Sequence, residues 1–277
     1  MTYKTILMHC NDKRRFNTLL APTVKLASAF QSHIIGLSVV PPVSVVATGA
    51  LEAPPIIVDA HCELYRQDVA PMRQQFEAAT AGRPVTFEWR DLDAGAFGVV
   101  DVVVEHGRTA DLIVALQTDA DWPFSEWLDV ADGVAVESGR PVLIIPNGPA
   151  SAQIASRVLV AWNGRREAAR AVFDALPLLQ QADAVRVMRI SEGDEDIELP
   201  ATDICHSLVR HGVKTNKTQR VSAAVGSGPA LMAEADAFDA DLVVMGCYGH
   251  SRLREFVFGG ATRHFLQKMR VPVLMSH

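Results

Sequence analysis

The stretch Asp241-Leu-Val-Val-Met-Gly246-Cys-Tyr-Gly249-His-Ser-Arg-Leu-Arg-Glu-Phe-Val-Phe-Gly259-Gly260-Ala-Thr262-Arg-His-Phe-Leu266 decides how the chain is read. Its apolar run Leu242 to Met245 has the length of a buried strand and stops at Gly246, while Phe265, Leu266 and Met269 return at helical spacing. The order is strand, glycine-bearing loop, helix, and a last apolar run, Val271-Pro-Val-Leu274, follows before His277. Such a loop is a candidate anion site. Glycines at a strand's carboxyl end allow close backbone approach, and the first turn of the next helix points amides and a positive dipole end outward. Gly246, Gly249 and Gly259 supply the approach, and the amides around Gly260, Ala261 and Thr262 supply donors. The Thr262 hydroxyl suits either a helix cap or a phosphate oxygen. Plain turns need the same glycines, so spacing alone leaves both readings open.

Outward from this stretch the chain repeats itself. Thr5-Ile-Leu-Met-His-Cys-Asn11 matches Arg157-Val-Leu-Val-Ala-Trp-Asn163, an apolar strand running into a polar turn that ends in Asn. Helix-spaced segments follow each, Leu19 to Phe30 and Ala168 to Leu179, and then further apolar runs, Ile34 to Val40 and Ala184 to Ile190. Thr109-Ala-Asp-Leu-Ile-Val-Ala115 matches Asp239-Ala-Asp-Leu-Val-Val-Met245, and Arg140-Pro-Val-Leu-Ile-Ile-Pro146 matches Val271 to Ser276. Between these landmarks lie short strands, Val85 to Trp89 and within Lys214 to Val221, and helices at about Ala96 to His106 and Pro229 to Phe238. Buried strands alternating with helices imply right-handed crossovers and parallel sheets covered on both faces. The expected fold is α/β, two tandem doubly wound, Rossmann-like domains, each with a five-stranded parallel sheet whose first and fourth strands are neighbours. The Asn163 turn and the Gly246 loop should then converge.

Pro146-Asn-Gly-Pro-Ala-Ser-Ala-Gln153 is rich in turn formers and divides the chain into 1–150 and 151–277. Pro41 to Ala60 is an insertion in the first copy, a surface loop or a cover. With 277 residues, 49% of them apolar, the chain can bury two ordinary cores. A net charge of −6 and only 6% aromatic residues disfavour a nucleic-acid partner. No apolar run reaches membrane-spanning length and no signal-peptide core follows Lys4, so the expectation is a cytoplasmic protein with no membrane partner. Cys10, Cys62, Cys205 and Cys247 form no Cys-x-x-Cys pair and read as reduced thiols. His9-Cys10, His61-Cys62 and Cys205-His206 are adjacent pairs far apart in sequence, a poor arrangement for one metal, and no metal site is expected.

The residues resemble a known family. Gly246-x2-Gly249-x9-Gly259, preceded by a strand ending in Met245 and followed by a small residue and Thr262, looks like the ATP-binding signature of the universal stress proteins, and the closing Val271 to Leu274 strand fits it. Gly260 stands where that family usually carries Ser or Thr, which removes one hydroxyl from the phosphate side. The resemblance covers both halves and implies a tandem member with an adenine nucleotide alpha hydrolase-like fold, ATP in the carboxyl-terminal domain, and Mg2+ carried by the phosphates. It implies contacts from the turn Ala161-Trp162-Asn163, where the family commonly has Asp in place of Asn163, near the ribose or a metal; an amide is a poorer ligand for a hard cation. It also implies backbone groups near Val187 and Met188 for adenine, and Met245 beside the base or sugar unless it is simply core. Arg252 is the cation of choice for the phosphates among His250, Arg252 and Arg254.

In the first copy Leu116 falls opposite Gly246 and Asp119 opposite Gly249, with Asp121, Trp122, Phe124 and Trp127 close behind. Side chains block backbone approach and carboxylates repel phosphate, so the amino-terminal loop reads as degenerate for nucleotide. Its aromatic residues suit packing, another ligand or a partner. The chain has no Gly-x4-Gly-Lys-Ser/Thr loop and no metal-binding Asp in the expected turn, so no catalytic residues are assigned. The family resemblance implies a nucleotide-responsive stress or signalling module; a scaffold that binds no nucleotide and a very slow ATPase are the alternatives. In related single-domain proteins the last strands pair across a dyad, so Val142 to Ile145 and Val273 to Met275 are expected to pair within this chain, with a further homodimer left open.

Overall fold

Strands buried on both faces read as continuous apolar runs, and their side chains divide by parity between two layers of helices. The computed structural model describes residues 2–42, 55–122, 125–128, 130–148, 154–191, 204–215, 219–222, 227–247 and 260–277. The first half runs β1 (Thr5–His9), α1 (Phe16–Phe30), β2 (His33–Val40), α2 (Pro55–Thr80), β3 (Thr86–Asp93), α3 (Val99–Gly107), β4 (Leu112–Leu116), α4 (Ser125–Leu128), α5 (Ala131–Glu137) and β5 (Val142–Ile145). The second runs β6 (Arg157–Ala161), α6 (Arg166–Asp174), α7 (Leu176–Gln181), β7 (Ala184–Ser191), α8 (Ile204–Arg210), β8 (Gln219–Ser222), α9 (Ser227–Ala237), β9 (Leu242–Gly246), α10 (Gly260–Lys268) and β10 (Val273–Ser276).

The strands lie in the order β3-β2-β1-β4-β5-β10-β9-β6-β7-β8. Each half is the expected five-stranded parallel unit, with β1 beside β4 and β6 beside β9. The halves do not keep separate sheets. Val273 pairs with Ile144, Leu274 with Leu143 and Met275 with Val142, an antiparallel junction that fuses them into one ten-stranded mixed sheet. The core follows the fusion: Ile6, Met8, Val114, Leu143, Val158, Val244 and Leu274 share one layer, and Leu7, Ile113, Ile144, Leu159, Val243 and Val273 the other. Burial of apolar surface, roughly 25 cal/mol per Å² removed from water, therefore runs without a break from one copy into the next.

Several departures from expectation have local causes. The helix expected over Ala168 to Leu179 is two helices meeting at Ala175, because Pro177 cannot donate to the preceding turn and its ring crowds the carbonyl of Phe173. The insertion after β2 becomes helix α2 from Pro55 onward, and residues 43–54 lie outside the described set. The third strand of the second copy shrinks to Gln219–Ser222, with Thr215 making only an isolated bridge to Val185. The Asp of each Ala-Asp-Leu repeat is structural: Asp111 accepts the amides of Lys4 and Thr5 (2.7 and 2.9 Å), and Asp241 those of Ser156 and Arg157 (both 2.9 Å). One carboxylate thus satisfies the otherwise unpaired amides where the first strand of each copy begins.

The junction also repeats itself. Gln117, just past β4, donates its side-chain amide to the carbonyl of Leu266 in α10 at 2.6 Å, and its amide oxygen accepts from the backbone of Asn147 at 2.9 Å. Cys247, just past β9, points its thiol at the carbonyl of Ala135 in α5 at 3.8 Å. Each copy thus reaches into the last helix of the other.

Candidate functional site

The predicted residues of the second copy converge because β6 lies between β9 and β7. Ala161 is in register with Met245 on one side and Met188 on the other, and Val160 with Val244 and Val187. Met245 is 7% exposed, while the side chains of Val187 and Met188 are wholly buried in the core. Trp162, half-buried, donates its backbone amide to the carbonyl of Met188 at 2.8 Å. β7 runs on to Ser191, so Val187 and Met188 sit inside the strand and not at its tip.

Beyond β6 the chain turns through Asn163 and Gly164. The Asn163 side-chain oxygen accepts the Arg165 amide at 3.0 Å, an Asx turn, and Gly164 takes φ +74°, which an L side chain rarely adopts. This turn aims the start of α6 at the end of β9. A Cβ on Gly246 would lie 2.5 Å from both the Ala168 nitrogen and the Glu167 carbonyl carbon. The close approach that Gly246 allows is therefore made first of all by the backbone of α6. Thr262 is 6% exposed and is the third residue of α10, which begins at Gly260 and continues through Ala261. Gly249, His250, Arg252, Arg254 and Gly259 lie outside the described residues.

Two residues that sequence reasoning passed over stand at this edge. Glu167 is buried, and burial raises its carboxyl; hydrogen bonds from Arg166 (2.5 Å) and from its own amide outweigh that, with help from the charge of His277, and hold it below the usual carboxylate range. The His277 ring donates from Nδ1 to the Cys247 carbonyl at 3.0 Å, tethering the chain end to the base of the loop. Burial pushes the Cys247 thiol up to about 12, so it is no nucleophile at neutral pH. The signal for Glu167 was present as an acid in the first turn of an Asn-Gly-initiated helix; nothing in the sequence pointed to His277. Among the described residues no cluster of three or more His, Cys, Asp or Glu is placed to hold a metal.

The same edge of the first copy is closed. Asn11 donates to the Val39 carbonyl at 2.7 Å and accepts the Val39 amide at 3.0 Å, so its carboxamide occupies the backbone edge of β2. Asp12, 4% exposed, accepts the Arg14 amide at 2.9 Å and pairs with the guanidinium groups of Arg14 and Arg15. Burial raises this carboxyl, but those hydrogen bonds prevail and keep it below the usual range. Both guanidiniums lie against the Trp122 ring, 4.7 and 5.3 Å from its centroid. Leu116, where the second copy has Gly246, is itself buried.

Parallel strands meeting at a switch point, with a turn and a helix start gathered at their carboxyl edge, define a doubly wound α/β fold. Residues 155–277 match the model of the Universal stress protein family. Over its whole length it resembles the crystal structure of a universal stress protein from Archaeoglobus fulgidus DSM 4304, with a TM-score of 0.74 and 17% identity over 99% of this chain and 96% of that one. A putative universal stress protein from Pseudomonas aeruginosa UCBPP-PA14 gives 0.57 and 16%, over 99% and 93%. At such identities the likeness establishes the fold. No curated protein sequence matches.

Proposed function

We propose that residues 151–277 form an ATP-binding domain, that residues 1–150 form its degenerate counterpart, and that bound nucleotide alters the stability or partner contacts of the chain. The supporting observation is the contrast at one level of the sheet. At the edge of β6 and β9 the chain presents Ala161, Asn163 and Gly246, whose missing side chain admits the start of α6, while the matching edge of the first copy is occupied by Asn11, Asp12 and Leu116. In this reading Trp162 and Asn163 flank the ribose, the backbone at Val187 and Met188 and the end of β7 face adenine, and Met245 lies beneath. Gly249, Arg252, Gly259, Gly260, Ala261 and Thr262 surround the phosphates. Asn163 is an amide and Glu167 is already paired with Arg166, so Mg2+ would ride on the phosphates and take no carboxylate from these residues. The module works by binding, in a cytoplasmic setting, and not by rapid turnover.

Equilibrium dialysis of the full chain with labelled ATP tests this. The expected result is near one nucleotide per chain, with Thr262→Val weakening binding and ATP at about 100 times Kd raising stability by about 2.7 kcal/mol. Absence of bound nucleotide, or equal binding by a variant with Thr262→Val and Asn163→Ala together, overturns the reading.

A further inference from the structure

Beside the occupied edge of the first copy a hollow remains. Between the ends of β1 and β2 and the helix α2 lies a cavity of about 190 Å3, with an apolar wall of Val39, Val40, Val69, Met72 and Trp122 and a polar side made by Asn11, Asp12, Ser38 and the charged residues at its mouth. An apolar cavity of about 150 Å3 takes up benzene, so this one has room for a single ring. A second hollow of about 10 Å3, the size of one oxygen, is bounded by His9 and shares Asn11, Asp12, Trp122 and Leu128 with the cavity as walls.

His9 supplies an independent sign of a ligand. It is 5% exposed, and its Nε2 has no hydrogen-bond partner among the described residues, a state that native structures rarely leave unmet. Burial lowers its pKa to about 3, so the ring is neutral at physiological pH and Nε2 offers one donor or one acceptor according to the tautomer. A hydroxyl suits either tautomer, because it both donates and accepts.

Charge at the mouth favours a neutral ligand. Lys13 pairs with Asp68 at 2.9 Å, and Arg14 pairs with Asp12 at 3.0 Å and Asp119 at 3.4 Å. Cations and carboxylates there offset one another, leaving no field to hold an anion. The Val39 amide and carbonyl, which a base edge would need, are taken by Asn11. We infer that the amino-terminal copy binds a small, uncharged, ring-sized organic molecule bearing one hydroxyl, with the ring against the apolar wall and the hydroxyl on His9 Nε2. This site is separate from the nucleotide reading and stands whether or not ATP binds the second copy.

Phenol and toluene, which share a ring and differ in the hydroxyl, are the probes, titrated into the isotope-labelled full chain and followed by amide and indole chemical shifts. Phenol is expected to saturate at one molecule per chain, to move Val39, Val40 and Trp122, and to bind roughly tenfold more tightly than toluene. His9→Phe should bring the two probes to equal affinity. Val69→Trp, which fills the cavity from a half-buried position, should weaken phenol by more than roughly tenfold. Leu64→Trp, on a 55% exposed position of the same wall, replaces it if Val69→Trp fails to fold. Failure to saturate, equal affinity of both probes for the unaltered chain, or phenol binding untouched by the filling variant overturns the inference. ATP added alone should leave the Val39 and Trp122 signals in place; displacement of phenol by ATP would overturn it as well.

Discussion

The two copies carry an Asn at the same point of the same turn and use it differently. In the first, Asp12 follows Asn11 and takes the Asx-turn role by accepting the Arg14 amide, which frees the Asn11 carboxamide to bridge to Val39 across the sheet. In the second, Gly164 has no side chain to do this, so Asn163 caps its own turn by accepting the Arg165 amide. One residue, Asp against Gly, decides whether the neighbouring Asn closes the edge of the second strand. A second exchange accompanies it: Gly246 lets α6 descend onto β9, whereas the first copy carries the buried side chain of Leu116 at the matching position. Strand edges in the two copies are thus occupied or left free by local hydrogen-bond choices on an unchanged frame.

The largest test of this comparison gives the second copy the residue of the first. Gly246→Leu drives a side chain into the Ala168 and Glu167 backbone, which cannot yield as a flexible side chain would. A loss of roughly 3 kcal/mol or more is expected in urea unfolding. Stability within about 1 kcal/mol of the parent would show that α6 is free to retreat and that the glycine serves only a ligand. For the same reason Gly246 variants are poor probes of nucleotide binding, and Thr262 is the better handle.

The Asn pair comes next. Asn11→Ala leaves the Val39 amide and carbonyl without their partner and should cost roughly 2 kcal/mol, while Asn163→Ala, which loses one bond at an exposed turn, should cost roughly 0.5 kcal/mol. Denaturant midpoints of the two variants measure the difference; equal losses would mean that the two amides do the same work.

The smallest contrast is one of pH. His9 is replaced by Ala161 in the second copy, so only the first carries this buried imidazole. Its folded pKa, about 3, lies below the unfolded value near 6.5, so between these values the unfolded chain binds a proton that the folded chain does not. Stability is therefore lost as pH falls below about 6.5, by about 1.4 kcal/mol per unit at most, or about 2 kcal/mol between pH 6.5 and pH 5. His9→Phe should flatten that slope in denaturation curves taken at several pH values. Asp12 lines the same hollow, but its depressed pKa keeps it ionised throughout this window, so its loss of stability begins only as pH falls into the usual carboxylate range. An unchanged slope in the variant would place the acid sensitivity elsewhere.

Much of this was legible in the chain itself. The matched strands, the shared Ala-Asp-Leu motif, the strand order within each copy and the loss of glycine at Leu116 follow from residue type and spacing, because burial on both faces demands apolar runs and a bare backbone demands glycine. The partner of a side chain is a different matter. Nothing in Asn11 or Asn163 tells which amide each will meet, and Gly246 reads alike whether a helix or a phosphate approaches it.

Sequence by itself determined that there are two doubly wound units and that glycine is kept at Gly246 and lost at Leu116, since these rest on local pattern and residue type. The pairing of β5 with β10 was expected from the resemblance and is observed, but only the tertiary structure decided that α6 is what Gly246 admits and that His9 lies unpartnered beside a cavity. Those depend on distances between residues far apart in the chain, which hydrogen bonding and close packing set together and which no stretch read alone contains.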